Sequence, residues 1–167
     1  VIVPWVVWKQ FGDTEIINEN WDAMEKFVGH INETKYNHDA LKNENGDYQW
    51  ADWLSYEPIE SCGGGIYNEG KPGIRPEAYD YWNYLGASYW LIDAGMMRDM
   101  AKATGRDAAK YEAMEAEARA YLKDNFLNEK GKFKNEILNT MQTPALFALK
   151  NNIVDGDAKD KMIERLR

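Results

Sequence analysis

Apolar residues recur at helical spacing along most of the chain. After Gly12, Asp13 or Thr14 can cap a helix that carries Ile17, Trp21, Met24, Val28 and Ile31 on one face and fades near Thr34. A second pattern, Leu85, Tyr89, Ile92, Met96 and Met100, stops at Gly105, where the missing Cβ permits a left-handed C-cap. Asp107 then caps AAKYEAMEAEARAYLKDNFL, whose stripe of Tyr111, Met114, Ala118 and Leu122 is narrow and flanked by Glu and Lys, the pattern of a helix with one wet side. NEKGKFKN reads as a polar turn. Thr143 and Pro144 read as N-cap and first position of a short apolar helix, ALFALK, and Asp157 opens a last one through Met162, Ile163 and Leu166.

The opening VIVPWVV fits a buried strand or a buried helix equally well by periodicity. Helix is the better reading, because Pro4 is tolerated in a first turn and PWVVWKQFG runs straight into the next cap. Trp5 and Trp8, three residues apart, share a side and are expected in the core, as is Tyr89. The prediction is an all-α chain of antiparallel helix pairs. No unit of 30 to 50 residues repeats, which disfavours a regular solenoid.

The exception is the connection from Lys35 to Arg75. It far exceeds the roughly 12 to 15 residues beyond which loops in compact domains are uncommon and often functional. Its first half holds QWADWLSY, with Trp50, Asp52, Trp53 and Tyr56; its second half, SCGGGIYNEGKPG, is too rich in glycine for regular structure. The triple glycine lacks the GxGxxG spacing and the preceding strand of a dinucleotide site. Aromatic rings beside a carboxylate suit a sugar, whose C–H faces pack on indole while its hydroxyls need charged acceptors. The alternative is that Trp50 and Trp53 simply anchor the loop to the helices.

Composition narrows the partners. A net charge of -8 argues against nucleic acid and anionic membrane surfaces, and no apolar run approaches the roughly 18 residues of a membrane span. One cysteine, Cys62, and two histidines, His30 and His38, give neither a disulfide framework nor a zinc-type cluster. Among acids, Asp13, Asp52, Glu57, Glu60 and Asp80 qualify by type, but Asp13 reads as a cap and the two glutamates as solvated loop residues. The chain opens on an apolar stretch with no cap before it, so it is expected to be a piece of a longer protein.

The ordered set VIVPWVVWKQFGDTEI, ADWL, ASYWLIDAGMMRDMAKATGR, DAAKYEAMEAEAR and NTMQTPALFAL resembles the catalytic domain of α-L-rhamnosidases of glycoside hydrolase family 78, over essentially the whole chain. The family's loop motif is commonly GDWL, and Ala51 stands here in place of its glycine. The resemblance implies an (α/α)6 toroid, of which residues 1–167 would make about half. It implies inverting hydrolysis of terminal α-L-rhamnosides, with no cofactor. It also implies a sugar pocket to which Asp52 contributes a hydrogen-bond acceptor and Trp53 a stacking wall, with Trp50, Tyr56, Trp82 and Gln142 as further contacts. The family's general acid lies in a segment of DERxGWxGDA type expected before Val1, and its general base in a helix pair expected beyond Arg167. The chain alone is therefore expected to lack catalytic residues and to self-associate through uncovered helix faces. A trehalase-like or debranching glycosidase of the same toroid, or a non-enzymatic helical binding module, remains the alternative.

Overall fold

The computed structural model describes residues 1–34 and 76–166. Seven helices are found among them: α1 (Ile2–Phe11), α2 (Glu15–Thr34), α3 (Pro76–Ala103), α4 (Ala109–Phe126), α5 (Glu136–Thr140), α6 (Gln142–Lys150) and α7 (Gly156–Arg165). None of them is long and apolar enough to cross a membrane. The only extended pairing among the described residues is an isolated antiparallel bridge between Leu127 and Phe133.

The helix starts and stops follow local chemistry. α1 is a helix, and Gly12 ends it in the left-handed region at φ 72°, donating its N–H to the Trp8 carbonyl. The Asp13 carboxylate accepts the Glu15 N–H at 2.8 Å and so caps α2. At the far end of α3, Gly105 takes φ 70° and Arg106 donates its N–H to the Ala101 carbonyl. Asp107 accepts the Ala109 N–H at 2.9 Å, so α4 begins almost without a loop.

Side-chain pairs fix how the helices run. Tyr84 meets Phe126, Trp90 meets Tyr121, and Arg98 reaches Glu115, so α3 and α4 are antiparallel. Arg106, in the turn just before α4, donates to Asn18, and Lys110 in the first turn of α4 donates to Glu25, a rising register that makes α2 and α4 parallel. Tyr84 binds the Pro144 carbonyl and Tyr89 packs on Phe147, so α3 and α6 are parallel too. Two layers result, one containing α3 and α6 and the other α2 and α4, which run in the opposite sense. That is the alternation of a helical-hairpin toroid.

α3 is the centre of the packing and contacts α1, α2, α4, α5 and α6. Tyr81, Tyr84, Ala87, Trp90, Leu91, Ala94, Met97 and Ala101 are buried along it, together with Ser88 and Asp93. Leu85, Ile92 and Met100 of the stripe expected from sequence are buried as well, and Met96 is partly buried against the core. Tyr89 corrects the core expectation: it is 37% exposed, its ring set against Phe147 at 5.4 Å. Trp5 and Trp8 are partly buried at the edge of the core, with the Lys9 ammonium over both rings.

Two other expectations change. The stretch read as a polar turn, residues 128–135, holds Phe133, which is buried against Tyr84, and ends on Asn135, whose side chain caps a five-residue helix, α5, that was not expected. α6 starts at Gln142, not after Thr143, with Met141 in the cap position and no side-chain cap bond. Thr143 and Pro144 lie inside its first turn. α7 likewise begins one residue early, at Gly156.

Candidate functional site

α2 closes at Thr34 and α3 opens at Pro76, so the long connection leaves and re-enters the helices at one end. Because α2 and α4 run against α3 and α6, that end also carries the last turn of α4 and the first turn of α6. Asp52, Trp53, Trp50 and Tyr56 lie on the connection itself, outside the described residues. Trp82 falls in the early turns of α3, one residue past buried Tyr81. Gln142 is exposed as the first residue of α6. The structure thus brings Trp82 and Gln142 to the same end as the anchors of the loop, on separate helices.

That end is held by specific bonds. In the first turns of α3, the Asp80 carboxylate accepts from the Asn135 side-chain Nδ2 at 2.8 Å, while the Asn135 side-chain Oδ1 accepts the Ile137 N–H at 2.9 Å. One turn on, the fully buried Tyr84 donates its hydroxyl to the Pro144 carbonyl at 3.0 Å. Its ring stands edge-on to Phe126 and Phe133, with centroids 5.3 and 5.1 Å away. Burial raises the Tyr84 phenol above its ordinary range, so it stays a donor at any working pH.

Acids by type sort themselves by geometry. Asp13 caps α2 at the opposite end, Asp80 is engaged by Asn135, and Glu57 and Glu60 lie outside the described residues. Among the described residues no group of three or more His, Cys, Asp or Glu side chains is placed to hold a metal ion.

The family model of the bacterial alpha-L-rhamnosidase 6 hairpin glycosidase domain matches residues 1–167. The chain belongs to that family. An α-L-rhamnosidase of Formosa agariphila is 27% identical over 168 residues, covering 99% of this chain and 16% of that protein. The crystal structure of a Streptomyces avermitilis α-L-rhamnosidase complexed with L-rhamnose superposes with a TM-score of 0.62 at 16% identity, over 98% of this chain and 13% of that one. The Streptomyces structure shares the helical-hairpin fold of this chain, which spans only about a sixth of either relative's length or less.

One titratable group in this hairpin domain escapes a sequence reading. Asp93 stands in the apolar run WLIDAGMM at 4% exposure, about 20 Å along α3 from Asp80. Burial pushes its carboxyl up to about 6. Its distance from the loop anchors separates it from the site. The signal was available: an acid inside an otherwise apolar helical stretch is either paired or neutral.

Its pH effect has a definite sign. The folded form holds the proton more tightly than the unfolded chain does, so the stability tied to Asp93 is full below about pH 4. It is lost as pH rises through about 6. Asp93→Asn removes that loss and is expected to stabilise residues 1–167 by on the order of 2 to 3 kcal/mol above pH 7, relative to its effect at pH 4. Urea denaturation of both proteins at pH 4 and pH 8 checks it; an offset that does not change with pH would refute the assignment.

Proposed function

We propose that residues 1–167 form part of the catalytic domain of an inverting α-L-rhamnosidase that hydrolyses terminal α-L-rhamnosides. The observation that carries this reading is the match of the rhamnosidase hairpin-domain family along the whole chain. The Streptomyces relative is complexed with L-rhamnose, which supports a rhamnose-containing glycoside as the substrate here. The parent enzyme, assayed on a panel of aryl glycosides, is expected to prefer the α-L-rhamnoside; preference for a glucoside would favour another toroid glycosidase.

In this reading Asp52 and Trp53 contact the sugar, with Trp50, Tyr56, Trp82 and Gln142 as further contacts. Trp53 offers a flat apolar face to the sugar C–H groups, and Asp52 accepts from its hydroxyls. A carboxylate acceptor is worth more than a neutral one, because the ionised oxygen strengthens the hydrogen bond. Asp52→Asn keeps the shape and loses the charge. In the parent enzyme it is expected to lower kcat/KM about 30-fold, corresponding to about 2 kcal/mol, with little change in melting temperature. Steady-state kinetics beside thermal melts measure both; unchanged kinetics would remove Asp52 from the pocket. The same reading leaves residues 1–167, taken alone, prone to pair with a second copy.

A further inference from the structure

We draw no further inference here: the strongest candidate, the groove between the end of α4 and the start of α7, is lined by four lysines and four acids that balance in charge, and beyond the N-terminus of α7, which has no side-chain cap, nothing in the structure points to a ligand for it.

Discussion

Purified as residues 1–167 alone, the chain is expected to release no p-nitrophenol from an aryl α-L-rhamnoside under conditions in which the parent enzyme is active. Inverting hydrolysis needs a protonated acid at the leaving oxygen and a carboxylate activating water on the other face, roughly 6.5 to 9.5 Å apart. The resemblance places both outside this stretch of the family's chain, and several of the described acids are committed elsewhere. Asp80 accepts from Asn135, and Asp99 and Glu115 are engaged by Arg98, with Arg119 also on Glu115. Glu25 accepts from Lys110 and Tyr111, which hold its carboxyl below the usual range and make it a poor proton donor. Asp93, the one acid with a raised value among the described residues, is buried about 20 Å along the helix from Asp80. Without an acid and base pair the rate falls to background, a loss on the order of a millionfold or more. A continuous assay at high protein concentration checks this, and saturable turnover by the purified chain would show that a pair of its own carboxyls does the chemistry.

How much of this was legible in the sequence depends on whether the cause is local. The α2 start, the Gly12 and Gly105 stops and the Asp107 start were readable because each is written in one residue and its neighbours within a turn. α1 was readable through Pro4, since an apolar run alone does not separate helix from strand. α5 was not, because five residues carry too little periodicity, and its signal is a single cap, Asn135, inside a polar stretch. Phe133 was missed for the same reason: flanked by Lys132 and Lys134, a lone aromatic in a turn shows its burial only when Tyr84 arrives from another helix. The α6 start was misplaced because Thr143 and Pro144 are a good local cap pair, and the tertiary bonds from Arg165 to the Met141 carbonyl and from Tyr84 to the Pro144 carbonyl override it.

The site divides along the same line. The residues named from the resemblance are concentrated on the connection from Lys35 to Arg75, and of that set only Gln142 has a described side-chain environment, exposed at the start of α6. Tyr84, which ties α3 to the start of α6, was not legible as a tertiary contact. It lies in YDYWNYLGASYW, where aromatics crowd every face, and its hydrogen-bond partner is 60 residues away. Tyr89, expected in the core, fell outside it because α6 is short and covers only one side of its ring, through Phe147.

The second large effect concerns the surfaces that these helices leave open. Residues 1–167 in isolation are expected to self-associate and to bind a hydrophobic dye more strongly than a complete toroid does. α1 is the main cause. Its first seven helical residues, IVPWVVW, are apolar on every side, the composition of a helix buried all round, yet Val3 is 66% exposed, Ile2 46% and Val6 38%. α6 adds Leu146 at 53%. α1 and α6 thus leave apolar side chains uncovered, while α3 between them is buried along most of its length. Contiguous apolar patches beyond a few hundred Å² on a soluble chain generally find a second surface, and at about 25 cal/mol per Å² a copy-to-copy contact contributes several kcal/mol before the costs of association. Replacing Val3 and Val6 with glutamate places charge on that face and should shift the population toward monomer without disturbing Pro4, the buried residue of the helix. Sedimentation velocity across micromolar concentrations, with dye fluorescence on the same samples, measures the effect. A wild-type chain that stays monomeric and dye-free throughout would mean that α1 and α6 are covered by the chain itself.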